Sequence, residues 1–397
     1  MLEPSYLLRI SEGAEDIAEQ LHIDIMRRMV RRIMERLGRG DDYILTATDK
    51  WHIENLQQAG YLLEDIQKEI AKATKLQEQE ILEAMEDAGV KALSYDDKIY
   101  QSVGLSPVPL TQSPELIRLM QRNYEATLGE WSNFTRTMAK QTQSLFLSEL
   151  DRAYNLVSTG ALSYTQAVSE VIDNVASEGV VVEYESGRTD TLETATLRAV
   201  RTGISQASAQ IQIARMDEMG IDLVITSSHL GARPSHQVWQ GQIFSRTGTK
   251  YPDFVTETGY GTVTGLCGVN CRHSFSPYFE GMNNPFEQFD SEENLEQYKN
   301  EQRQRLLERR IRQTKRRVMS KKEAIESCQD EKLKFELDLD YQKAANLLMK
   351  QNEMYHEFCK KYNLKPLQDR LKIAKWDRRQ AATARGAAQR YNNAKGE

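Results

Sequence analysis

Residues 227–246 read SSHLGARPSHQVWQGQIFSR, and residues 251–278 read YPDFVTETGYGTVTGLCGVNCRHSFSPY. Half of the six histidines and half of the four cysteines stand in these two runs, among glycines and aromatics, while the chain on both sides is charged and helix-patterned. Leu223-Val224-Ile225-Thr226 leads into the first run as a short buried strand, and Gln242 to Ser245 reads as another. Gly231 and Pro234 argue for a loop between His229 and His236. The segment is therefore a small α+β module of loops and short strands, where binding geometry is commonly held.

Outward from the module the pattern is helical. Ile17, Leu21, Ile25, Met29, Ile33 and Leu37 recur at helical spacing, and Gly38 and Gly40 supply a stop. Thr46 to Asp49 offers capping residues for a short helix through Leu56 that Gly60 ends. Further short helices around Leu63 to Ala73 and Gln77 to Ala88 complete an N-terminal helical bundle over residues 1–105. Pro107, Pro109 and Ser113-Pro114 open a region of linker and long helices over 106–176, with one helix or a pair from Pro114 to Gly160 and another from Ser163 to Val175. Residues 177–285 form the α+β module, beginning with a strand at Val180 to Tyr184, a turn at Glu185-Ser186-Gly187-Arg188 and a helix from Thr191 to Met219.

Over 286–365, Leu295, Leu306, Ile311, Val318 and Ile325, then Leu337, Ala344, Leu347, Leu348, Met354 and Phe358, predict two long charged helices. They are antiparallel or face a second copy in a homo-oligomer, and are partly coiled coil. Residues 366–397 read as a basic, flexible tail. The fold class is mainly α with a small α+β module.

Composition narrows the function. With 397 residues, 40% hydrophobic and 28% charged, and a mean hydropathy of -0.62, the chain suits extended helices. No apolar run approaches the roughly 20 residues that span a bilayer, and MLEPSYLLRI is not an export signal, so a cytoplasmic chain with no membrane partner is expected. Four dispersed cysteines make no disulfide framework. The net charge of -6 does not advertise nucleic-acid binding, yet basic residues crowd Lys299 to Lys322 and Arg370 to Arg390. Arg309, Arg310, Arg316 and Arg317 are the candidates there for contact with nucleic acid or with an acidic partner, which includes acidic residues of this chain.

Cys267-Gly268-Val269-Asn270-Cys271-Arg272-His273 points to a metal. Gly268 and Asn270 tolerate positive φ, so the backbone folds back, brings Cys267 and Cys271 together, and sets His273 on the same side. With His236 or His229 as fourth donor, such a set would hold a closed, structural zinc. The other reading makes the cysteines small buried hydrophobes and His273 a hydrogen-bonded imidazole. A metal-dependent hydrolase or nuclease would centre on His229, His236, Asp253 and His273, but no nucleophile elbow, phosphate loop or His-Glu-x-x-His accompanies them. In the same segment Trp239 is expected to pack in a small core, Gly241 to turn the chain into the next strand, and Arg233 to satisfy backbone carbonyls or an acidic group.

These residues resemble the phage minor capsid protein 2 family, related to phage head-morphogenesis proteins. The resemblance lies in Ser228-His229, Gly231-Ala232-Arg233-Pro234-Ser235-His236, Trp239-Gln240-Gly241, Tyr251-Pro252, Gly259-Tyr260-Gly261, Gly265-Leu266-Cys267-Gly268 and Asn270-Cys271-Arg272-His273. Ser186-Gly187-Arg188, Arg198 to Gly203, and Trp51, Ile53, Leu56 and Gly60 resemble it too, so the likeness runs from the first helix to Pro285. It implies a structural, non-enzymatic virion component associated with the portal vertex, acting in head morphogenesis or in packaging and delivery of DNA. The implied partners are the portal protein, other capsid proteins and packaged DNA. Some relatives carry a C-terminal toxin domain; here that region is charged helix, and no such activity carries over. Where head-morphogenesis relatives often place an upstream cysteine pair, this chain has His229 and His236.

Overall fold

The structure is a computed structural model and describes residues 1–44 and 48–395. It is 71% helical with small antiparallel sheets, as the sequence pattern predicts. In order the elements are α1 (Pro4–Arg9), α2 (Glu12–Leu37), α3 (Asp41–Ile44), α4 (Thr48–Ser102), α5 (Pro114–Ser158), α6 (Tyr164–Glu178), β1 (Val181–Glu183), β2 (Thr189–Thr191) and α7 (Leu192–Met219). Then follow β3 (Leu223–Thr226), α8 (Pro234–Gln237), β4 (Ile243–Ser245), α9 (Phe254–Thr258), β5 (Phe275–Pro277), α10 (Ser291–Ser327), α11 (Glu331–Lys361) and α12 (Arg378–Lys395).

The short helices expected between Asp49 and Ala88 are one helix of 55 residues, α4. Gly60 does not end it. A mid-helix glycine costs about 1 kcal/mol against alanine, and burial outweighs that. Ala59, Leu62, Ile66, Ala73, Ile81, Met85, Ala88 and Ala92 are all buried, at spacings that keep one face of the helix covered through Gly60 and Gly89. The capping proposal at Thr46 lies outside the described residues. From Pro114 the chain forms a single helix, α5, rather than a pair. Ser163 caps α6 in a reciprocal box with Gln166, which fixes where that helix begins.

The chain divides into two compact units, each drawn from three stretches of sequence. One comprises residues 1–17, 74–133 and 194–302; the other comprises 18–73, 134–193 and 303–397. The sequence boundaries at 105, 176 and 285 are not boundaries between these units. Helical periodicity shows which face of a helix is buried, but not which distant helix buries it.

In the first unit, Leu2, Leu7 and Ala14 pack with Ile81, Met85, Ala88 and Ala92 of α4 and with Val200, Ile204 and Ala207 of α7. A separate aromatic core lies under the three-stranded sheet, ordered β4-β3-β5, in which Val224 pairs with Phe244 on one side and Pro277 on the other. Ala209 and Met216 of α7 close that core against Trp239, Phe244, Phe254, Leu266 and Phe275. Each fully buried side chain of this size contributes about 1.5–3 kcal/mol.

In the second unit, β1 and β2 form a hairpin, with Val181 opposite Thr191. Asp330 caps α11 after the short connection from α10, accepting from the Leu333 N–H at 2.6 Å. Ile311 and Val318 of α10 pack with Tyr341, Ala344, Leu348 and Tyr355 of α11. The C-terminal segment, expected to be frayed, instead forms α12, and Ala384, Ala387 and Ala388 seat it in this core. A stripe of alanines favours helix and allows close approach, but gives little hydrophobic signal in a sequence.

Candidate metal centre in the histidine and cysteine module

Two chain crossings assemble the module. After β3, Ser227 donates its N–H to the Ser274 carbonyl at 2.8 Å, and Ser274 returns its own N–H to the Ser227 hydroxyl at 3.0 Å. This pairing holds the residues after β3 beside the residues before β5. Pro234 opens α8 in its first turn, where a missing N–H carries no penalty, and His236 lies on that helix. Gln212 of α7 fixes the β5 side by donating to the Phe275 carbonyl at 2.9 Å.

The cysteine loop depends on glycine for space. A Cβ at Gly265 would stand 2.0 Å from the Gly259 carbonyl oxygen, and one at Gly268 would stand 2.5 Å from that of Val263. The backbone does fold back, with Asn270 at positive φ (57°) as expected, but the second such position is Cys267 (58°) and not Gly268. A non-glycine residue there carries strain of order 1–2 kcal/mol.

His236, Cys271 and His273 converge, and all three are buried. The Nδ1 atoms of His236 and His273 are 3.3 Å apart, and the Cys271 Sγ lies 3.7 Å from each. The outer nitrogens are engaged. His236 Nε2 faces the Thr264 carbonyl oxygen at 2.9 Å, an atom that only accepts, so this nitrogen carries the proton. The His229 backbone N–H donates to Gln240 Oε1 at 3.1 Å and so fixes the amide's orientation. His273 Nε2 faces that same oxygen at 3.1 Å and is therefore also protonated. Burial pushes His236 down to about 4, helped by the charge of Arg233. Burial, then its histidine neighbours, holds His273 well below the ordinary imidazole value. Burial raises both thiols, but Cys271 Sγ accepts the N–H of His273 at 3.4 Å and that of Cys267, which opposes the rise.

Cys267, expected among the donors, lies outside the three-residue group; its thiol meets Ser205 and sits within the aromatic core. His229 stacks on His273 with ring centroids 4.4 Å apart. Trp239 packs against both rings of the pair, at 4.5 Å from His236 and 4.8 Å from His273. Arg233 donates to the Val269 carbonyl at 2.6 Å, Gly241 turns the chain into β4 at φ 66°, and Tyr260 stands edge-on to Phe275. Gly261 takes φ 86° in open space. Asp253 is outside the group as well: it caps α9, accepting from the Thr256 N–H at 2.7 Å. Gln240 and Thr264 orient the imidazoles; Gln240 lies within the Trp239-Gln240-Gly241 motif, but nothing in the sequence assigns it this role, and Thr264 carries no signal that marks it.

The basic helix divides in two. Arg309 and Arg310 are exposed. Arg316 is buried and meets Glu193 at 2.6 Å and Glu19, and His22 stands 2.9 Å from the other Glu193 oxygen. Burial alone would raise the Glu193 carboxyl, but Arg316 and His22 beside it hold it well below its ordinary value. Arg317 pairs with Asp173 at 2.5 Å, and Lys321 meets the same carboxylate at 2.9 Å.

Comparison with known proteins places this architecture. The family described as "Phage minor capsid protein 2" matches residues 2–356. The chain belongs to the phage minor capsid protein 2 family. As a minor capsid protein it is a structural component of the phage, and other capsid proteins are its implied partners. A structural protein of Lactococcus phage LL-H is 23% identical over 286 residues, covering 68% of this chain and 76% of that protein. A structural protein of Lactococcus phage mv4 is 37% identical over 76 residues, covering 19% of this chain and 61% of that protein. No solved structure matches. Among the described residues, no helix of this minor capsid protein is long and apolar enough to cross a membrane.

Proposed function

We propose that this minor capsid protein sits at the portal vertex and acts in head morphogenesis, where its surfaces dock the portal protein and neighbouring capsid proteins. The family match carries the reading, because at residues 2–356 it takes in most of both compact units. The burial of His236, Cys271 and His273 supports a structural rather than catalytic module, since a macromolecular substrate would have to displace the aromatic packing to reach them. The test is co-expression with the portal protein of the same phage followed by affinity capture, together with mass spectrometry of purified virions. A stoichiometric complex and a constant low copy number per particle are expected. Absence from purified virions would overturn the assignment.

Exposure of Arg309 and Arg310 favours a second contact, with packaged DNA, made through the part of α10 that presents these two side chains. Such binding would weaken steeply with salt, as counterion release requires.

A further inference from the structure

We propose that Cys271, His236 and His273 bind one zinc ion, through the Cys271 Sγ and the two imidazole Nδ1 atoms. The hydrogen-bond network forces the question. His236 Nε2 and His273 Nε2 both donate to oxygen, so in the neutral rings both Nδ1 atoms carry bare lone pairs, and these face each other at 3.3 Å. The one hydrogen within reach of both, on the Cys271 thiol, can satisfy only one of them. A buried pair of unsatisfied acceptors is costly. A cation placed among them, with the Cys271 thiol proton released to solvent, turns the two bare nitrogens and the sulfur into three ligands.

The distances agree with that occupant. Tetrahedral zinc, with nitrogens about 2.05 Å away and sulfur about 2.3 Å away, sets its nitrogens about 3.3 Å apart and each nitrogen about 3.6 Å from sulfur. The observed separations are 3.3, 3.7 and 3.7 Å. The outer arrangement fits as well. Each imidazole donates its far N–H to a carbonyl or amide oxygen, the usual device that orients histidine ligands. The sulfur accepts the His273 backbone N–H at 3.4 Å, which favours the thiolate a metal requires. Sulfur and imidazole donors, with no carboxylate in the group, select zinc over magnesium or calcium. Cys267 stays outside the donor set, because its thiol is turned to Ser205.

The test uses the full chain, purified without a polyhistidine tag. Elemental analysis should find about one zinc per chain. Unfolding in denaturant with chelator, followed by refolding with cobalt(II), should give the visible bands of a tetrahedral site and a thiolate-to-metal band in the near ultraviolet. Cys271→Ser should remove the thiolate band and lower zinc content at least tenfold, whereas Cys267→Ser should retain both. The cobalt spectrum of the unchanged chain is an independent reading that does not depend on how Cys271→Ser folds. Absence of zinc, together with a cobalt spectrum no different from cobalt in buffer, would mean that a proton bridges the imidazoles, and would overturn the proposal. Loss of metal from Cys267→Ser would overturn the assignment of three protein donors.

Discussion

Replacing Arg316 by methionine isolates the buried charge cluster, since it keeps the bulk of the side chain and removes only the guanidinium. The cluster holds Arg316 against Glu19 and Glu193, with His22 on the far side of Glu193. At the 2.6 Å separation from Glu193, and at 3.3 Å from the second Glu19 contact, an effective dielectric of about 20 gives each attraction roughly 5–6 kcal/mol. Removing three charges from water costs several kcal/mol per ion, so the intact cluster nets little. Arg316→Met keeps the desolvation of two carboxylates and deletes the attraction. It should therefore destabilise the chain by about 3–5 kcal/mol, the range for breaking a buried ion pair.

Urea unfolding monitored by tryptophan fluorescence and by circular dichroism measures this, and the triple variant Arg316→Met, Glu19→Gln, Glu193→Gln should recover most of the loss. The acid limb gives a second reading. The folded value of Glu193 lies below its unfolded value near 4.5, so its contribution is present above that pH and is lost as pH falls below it. Glu193→Gln should flatten the limb. A single Arg316→Met within about 0.5 kcal/mol of the parent, the scatter of ordinary surface changes, would refute the reasoning, because the charges would then be solvated.

Changing Arg309 and Arg310 together to alanine should leave the urea midpoint in place and lower the slope of log affinity for DNA against log salt by about 2, measured by fluorescence anisotropy. Gly265→Ala should cost about 1–3 kcal/mol in the same unfolding assay, since its Cβ would meet the Gly259 backbone rather than a movable side chain. Burial pushes the Lys315 ammonium down to about 8 from 10.5, so its contribution is fully present above 10.5 and is lost as pH falls toward 8. Stability should therefore rise between those values by up to about 3 kcal/mol, and Lys315→Met should flatten that rise in urea midpoints taken across the window.

The sequence carried the elements further than their assembly. Strand β3, the turn after β1 and the extent of α7 were legible because a change of period and a run of β-branched residues act locally. Gly60 misled because a local propensity of about 1 kcal/mol was weighed without the distant burial that overrides it. The same limit explains α12, whose alanines acquire meaning only against the residues of α11 that they touch. At the module, the cluster of histidines and cysteines marked the place, and three of the four expected donors do meet. Cys267 misled because spacing along a loop shows which residues are near, while the direction of each side chain follows from φ at Cys267 itself and from the core behind it. The roles of Arg316 and Arg317 were hidden for a related reason: a basic run looks uniform in sequence, and only the fold separates charges that face Glu19, Glu193 and Asp173 from those that face water.

That separation bears on how a capsid component of this kind does its work. Arg316, Arg317 and Lys321 meet carboxylates drawn from α2, from α6 and from the start of α7, so the basic run of α10 spends its central charges joining distant stretches of the second unit. His236, Cys271 and His273 do the corresponding task in the first unit, holding the residues after β3 to those before β5. In both units the polar groups most suggestive of function are buried and joined to one another, which fixes the fold. What is left facing outward on α10 includes Arg309 and Arg310. Buried charge and imidazole clusters that hold distant stretches of chain together suit a structural component of a phage particle.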